Sequence, residues 1–260
     1  MKSRRERQQG LSLVELLVAM VLGLLLTAGA LEMMLSSRNL HRTTDSLSRI
    51  QENGRFALDF LNRGINMAGY KTSNVDPDAQ IFNYCGDTFC SADGSGVDSD
   101  QIAAVQTADS SNDQDCLGNT VDKDDAFANV YYINEVDNIS SLYCRGYNIT
   151  DSSWISSAQP LVDGIENMQV LYGINDNAYI GGRRVEKYVS ATNVSDWSEI
   201  NTIRIALLVN NGLEFGNGDE TTRTFQLLDG APLTFTDKHD RQVYISTIAL
   251  SNVIYNYRAR

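Results

Sequence analysis

The chain has 260 residues, 42% of them apolar, enough to bury a real core in one large domain or two small ones and unlike the composition of a disordered chain. Four of its 21 basic residues, Lys2, Arg4, Arg5 and Arg7, lie in the first ten positions, so the remainder carries 17 bases against 32 acids, net −15. A body of that sign lacks the clustered Lys and Arg that phosphate binding needs, which argues against nucleic acid as a direct ligand.

The basic leader is followed by "LSLVELLVAMVLGLLLTAGAL", an apolar run from Leu11 to Leu31 interrupted by a single charge, Glu15. These 21 residues match the length of about 20 needed to cross a bilayer and exceed the apolar core of a secretory signal, although "AGA" at Ala28–Ala30 would suit signal cleavage. An acid at the centre of a membrane helix costs about 2.5 to 3.5 kcal/mol, so Glu15 calls for a function. Helical periodicity continues past Ala30, because Leu40, Leu47, Ile50, Ala57, Leu61, Ile65 and Ala68 recur mostly at spacings of three, four or seven. No proline precedes Pro77. The pattern predicts one helix from about Leu11 to Met67, apolar all round at first and one-sided later. The positive-inside rule places its start in the cytoplasm and the body outside, where Cys85, Cys90, Cys116 and Cys144 can oxidise.

From Lys71 the composition shifts to Asp, Asn, Ser and Gly around strand-like islands: 100–108, 129–136, 139–147, 165–174, 200–210 and 243–250. These predict a mostly antiparallel sheet packed on the amphipathic half of the helix, an α+β fold. Asp109–Asp125 is rich in acids but lacks the calcium-loop pattern, with Leu117 standing where Asp or Asn is needed before Gly118, and reads as a solvated loop. Asn211–Glu220 also reads as a loop. His239 and Asp240, in "TDKHDRQ", read as a polar turn before the last strand rather than half of a catalytic triad. No nucleotide-binding, zinc-protease or hydrolase motif occurs. With two histidines and one close cysteine pair, zinc is disfavoured, and no metal or cofactor is expected. Cys85 and Cys90 flank the turn-like "GDTF", and closing that short loop costs little chain entropy, which favours the disulfides Cys85–Cys90 and Cys116–Cys144.

"QQG" before "LSLVELLVAMVLGLLL" resembles the class III signal of type IV pilins and type II secretion pseudopilins. "SRIQENGRFALDFLNRGINMAGY" (48–70) and "GIENMQVLYGIN" (164–175) are similar to the PilW group of minor pilins. The resemblance implies a type IV pilin-like fold with a leader at 1–10, a transmembrane helix at 11–31, its amphipathic continuation at 32–68 and a β-rich domain at 69–260. It implies prepilin peptidase cleavage between Gly10 and Leu11, methylation of the new N-terminus at Leu11, and other minor and major pilins as partners through the helix. Glu15 would then pair with the cationic N-terminus of a neighbour in a low-dielectric bundle. The alternative is that Glu15 only complements the helix start from the interface, worth about 0.3 to 1 kcal/mol. Removing ten residues leaves 250, large for a main filament subunit and in keeping with a minor pilin, held in the inner membrane with its body periplasmic and later extracted to the pilus surface. The resemblance implies no enzymatic activity and a place in the priming or tip complex. The rivals are a minor pseudopilin of type II secretion and an exported binding module or enzyme tethered by its helix.

Overall fold

The computed structural model describes residues 12–70, 82, 90–110, 112–174, 185–211 and 220–252. One helix, α1, runs unbroken over Leu13–Asn66, 54 residues and about 81 Å at the standard rise. Gly69, at φ +77°, follows it in the left-handed conformation that commonly stops a helix, and its N–H donates to Val105 C=O at 2.8 Å.

The chain divides into two units, Met1–Asp45 and Ser46–Arg260, with the division inside α1. In the first unit every described residue, Ser12 to Asp45, is exposed. Thr27, Thr43 and Thr44 each donate their hydroxyl to the carbonyl four residues back, so these side chains need no partner outside the helix.

The second unit begins with the stripe Ser46, Ile50, Gly54, Ala57, Leu61 and Ile65, all buried at spacings of three and four. Two of the small positions exist for close approach. A Cβ on Gly54 would lie 2.7 Å from the Tyr244 ring, and one on Gly64 would overlap the Tyr131 hydroxyl. Polar ties complete the seating: Asn53 Nδ2 donates to Asp163 C=O at 3.0 Å, Asn211 Nδ2 to Ser46 Oγ at 2.8 Å, and Asn252 Nδ2 to Asn66 C=O at 3.0 Å.

Two antiparallel sheets carry the rest. The first holds β1 (Ile102–Thr107), β2 (Ala126–Val136), β3 (Ile139–Asn148) and β4 (Ser153–Trp154) in that order, with β5 (Gln159–Asp163) also pairing β3. Asp137 and Asn138, at φ +53° and +61°, make the two-residue turn between β2 and β3. The second sheet comprises β6 (Ile165–Ile174), β7 (Lys187–Val189), β8 (Ile200–Asn210) and β11 (Arg241–Ala249) in the order β11-β8-β6-β7, while β9 (Thr221–Phe225) and β10 (Leu233–Asp237) form a separate hairpin. Gly164 joins the sheets at φ +78°: its N–H donates to Ser140 C=O and its own carbonyl accepts from Asn210 N–H, both at 2.8 Å.

The main core gathers the helix stripe, Ile102, Tyr131, Leu142, Met168, Tyr172 and alternate residues of β8: Ile203, Ile205, Leu207 and Val209. The other face of β8, through Ala206 and Leu208, packs on Leu233 of the hairpin and on Leu227 between its strands. Burial on both faces explains why "IALLV" does not alternate. The six islands read from sequence are β1, β2, β3, β6, β8 and β11. The other five strands are absent from that reading because they are short, contain Pro160, or are dominated by threonine. The acidic segment 109–125 is more ordered than a solvated loop: Asp115 is buried, and its carboxylate accepts from Leu117 N–H at 2.9 Å and Asn119 N–H at 2.8 Å.

Candidate assembly site

The candidate site is the start of α1. Ser12 precedes the first helical residue, and its Oγ accepts from Val14 N–H at 3.3 Å, satisfying a donor that the first turn leaves orphaned. Glu15 lies in that first turn, three residues after Ser12, so "SLVE" has the spacing of a capping box. The sequence reading did not use Ser12, although S-x-x-E before an apolar run carries that signal. A carboxylate here is favoured by the helix dipole, and after Ser12 it is the only charge up to Leu31 on a stretch otherwise made of Leu, Val, Met, Ala, Gly and the internally bonded Thr27. The helix is long and apolar enough to cross a membrane. Gly10 and Leu11 lie outside the described residues.

Among the cysteines, Cys116 and Cys144 are bonded, with Cα atoms 6.4 Å apart. Cys144 is fully buried on β3 opposite Tyr131, and Cys116 N–H donates to Asn129 Oδ1 at 2.9 Å, so the bond fastens the loop 109–125 to the first sheet. Cys90 is half-buried and bonded to no described cysteine; Cys85, its proposed partner, lies outside the described residues.

Elsewhere the polar groups serve structure. Asp240 meets Arg223 at 3.3 Å and His239 N–H donates to Asp237 Oδ1 at 2.9 Å, which places both in the turn between β10 and β11. Arg241 is the buried clamp of this region. Its guanidinium donates to Glu166 Oε1 at 2.9 Å and to Asp237 Oδ2 at 2.7 Å, and lies 3.9 Å over the Phe235 ring. Its hydrogen bonds hold the Asp237 carboxyl down to about 2. Glu166 and Arg241 are 75 residues apart, and no local pattern announces their pairing. Asp100 is buried and accepts from Gly94 N–H and Val170 N–H, both at 2.7 Å; burial pushes its carboxyl up to about 6. No group of three or more metal-binding side chains occurs among the described residues.

Two family models match the chain. The prokaryotic N-terminal methylation motif covers residues 5–31, from the basic start through the apolar run containing Ser12 and Glu15. The type IV pilus-assembly protein W model, PilW, covers residues 130–252, from within β2 to just beyond β11. No curated protein and no solved structure matches. A membrane-anchoring helix with a methylation motif, carried in front of a PilW body, makes this chain a type IV minor pilin of the PilW group that takes part in pilus assembly.

Proposed function

We propose that this subunit is cut between Gly10 and Leu11 by prepilin peptidase, methylated at Leu11, and drawn into the priming or tip complex of the pilus by its helix, with Glu15 as the group that registers it against a neighbour. The observation that carries this reading is the composition of α1 over Ser12–Asp45: every described residue is exposed, and up to Leu31 the surface is apolar with one acid. Such a surface needs lipid or like helices around it. Cleavage at Gly10 creates a cationic amine at Leu11, and an unpaired charge is costly in a low-dielectric bundle. A carboxylate from the adjoining helix offsets that cost, which turns an acid in lipid into a partner-finding device.

Lys2, Arg4, Arg5 and Arg7 support a cytoplasmic start and a periplasmic body. In that oxidising compartment Cys90 has Cys85 as its close partner in sequence, and we assign them to a second disulfide. The body acts as a structural part, without catalysis. Mass spectrometry of the membrane-extracted protein tests the reading: the mature chain begins at Leu11 with one added methyl. A start at Leu31 would reveal an ordinary signal peptide and remove the filament role. Non-reducing peptide mapping of the same sample finds Cys85 joined to Cys90; a free thiol at either position refutes that pairing.

A further inference from the structure

Exposed sheet edges invite pairing with other chains, and this fold blunts almost all of its own. The outer edge of β1 is occupied: Val105 C=O accepts from Gly69 N–H at 2.8 Å, Thr107 N–H donates to Tyr70 C=O at 2.9 Å, and Ala103 N–H donates to Ser91 Oγ at 3.0 Å. β4 has two residues, β5 carries Pro160 and a register shift against β3, and β7 has three residues beginning with Lys187. β9 and β10 have five residues each and carry Arg223 and Asp237.

β11 carries only the charge of Arg241 at its first residue, and that guanidinium is buried against Glu166 and Asp237. Its nine residues stay in unbroken register with β8, and between Gln242 and Leu250 there is neither charge nor proline. Leu250 N–H donates to Asn201 C=O, which fixes the phase of the ladder. Gln242, Tyr244, Ser246 and Ile248 turn their backbone groups toward β8, so Val243, Ile245, Thr247 and Ala249 turn theirs outward. Nothing among the described residues pairs with those outward groups. Ile245, at the centre of the edge, is 58% exposed.

We propose that β11 is a strand-addition edge that receives an extended, uncharged segment of a different subunit of the same assembly, an inference that rests on the pilus-assembly reading. Outward donors and acceptors at every second residue match an extended backbone. The segment is uncharged because Val243, Ile245 and Thr247 on one face and Tyr244 and Ile248 on the other carry no charge, and Arg204, the cation opposite Thr247, is engaged by the Tyr188 ring and the Thr247 hydroxyl; an apolar residue beside Ile245 makes the favourable cross-strand pair. A second copy fits poorly. Without the first ten residues it would bring net −15 against net −15. Two β11 edges pairing antiparallel would also form a closed two-fold contact, which does not extend a filament.

The test follows amide hydrogen exchange, resolved residue by residue, in the full chain as a detergent-solubilised monomer and in inner-membrane vesicles from cells that make every pilus subunit. The amides of Val243, Ile245, Thr247 and Ala249 exchange fast in detergent and at least tenfold slower in vesicles, while Gln242, Tyr244, Ser246 and Ile248 are slow in both. Ile245→Pro removes one outward donor and no bond to β8, and it abolishes the gain at the other three positions. Ile245→Thr retains the gain. If the proline disturbs β11 and the inward amides become fast, Ile245→Lys makes the same test by placing a charge mid-edge. Equal rates in the two preparations would overturn the proposal, as would slow outward amides in a detergent homodimer, which would make the second copy the occupant. Outward amides that are protected in vesicles while the chain is missing from sheared pili count against filament entry and not against the edge. Unprotected amides in a chain recovered from pili count against the edge alone.

Discussion

The two parts of α1 are one helix with opposite surfaces. From Leu13 to Asp45 no residue is buried, and Leu26 alone is 76% exposed. From Ser46 to Asn66 six residues form a buried stripe, and Ile50, Leu61 and Ile65 are among the largest fully buried side chains of the protein. Backbone geometry is the same in both; what differs is where the cover comes from. The second part is covered by the chain's own sheets, at about 1.5 to 3 kcal/mol for each fully buried Leu or Ile. The first part has no such cover among the described residues, so its stability in place is assigned to lipid and to neighbouring helices. Substitutions in the first part therefore act on assembly, and substitutions in the second act on folding.

The largest effect expected is at Glu15. Glu15→Leu removes an acid from the apolar surface, so membrane insertion is intact or improved and cleavage persists, but recovery in sheared pili falls at least tenfold. Glu15→Asp is intermediate, and both variants leave the melting of the body unchanged. Normal recovery of Glu15→Leu in the filament would make Glu15 a helix-start residue only. Leu61→Ala is the converse experiment. It should destabilise the body by about 2 to 5 kcal/mol in urea unfolding without altering insertion. Leu24→Ala, equally apolar but in the exposed part, should leave the urea midpoint where it was. A shift as large as that of Leu61→Ala would mean that the first part of the helix is covered from within the chain.

Replacing both Cys116 and Cys144 by Ser opens a loop enclosing 27 residues and should cost about 3 to 4 kcal/mol in the loop-entropy picture. The loss belongs to the body, so insertion and processing are unaffected. Reduction of the parental protein that leaves the urea midpoint unchanged would show that the bond carries no stability.

The smallest effect is a pH dependence confined to the body. Asp100, held near 6 when folded against an ordinary 3.8, keeps a proton that the unfolded chain has released. Its contribution is complete below pH 4 and is lost as pH rises through 6, a change of about 2 to 3 kcal/mol. Asp93 and Asp229 face it and add to the upward push, while Gly94 N–H and Val170 N–H oppose it. Asp237, held near 2 by Arg241, has the opposite sign: its contribution is complete above pH 4 and disappears as pH falls toward 2. Urea midpoints between pH 4 and 7 should decline for the parental chain and flatten for Asp100→Asn. A slope unchanged in Asp100→Asn would assign the dependence to other groups.

Sequence alone determined the long helix, the change from an all-round apolar surface to a one-sided one, and the six principal strands. These follow from local periodicity and from β-branched runs bounded by turn residues, which act over a few residues at a time. It also carried the methylation motif at residues 5–31, a signal made of neighbours along one short stretch. Only the tertiary structure decided which partners lie far apart in the chain. Glu166 clamps Arg241 across 75 residues, and Asp100 accepts from Val170 across 70. Glycines 54 and 64 read as poor helix residues until the rings of Tyr244 and Tyr131 are brought against them. The open edge of β11 is of the same kind. Its residues form an ordinary strand in sequence, and whether a strand is central or at an edge depends on which others pair beside it, a property of topology that no local pattern records.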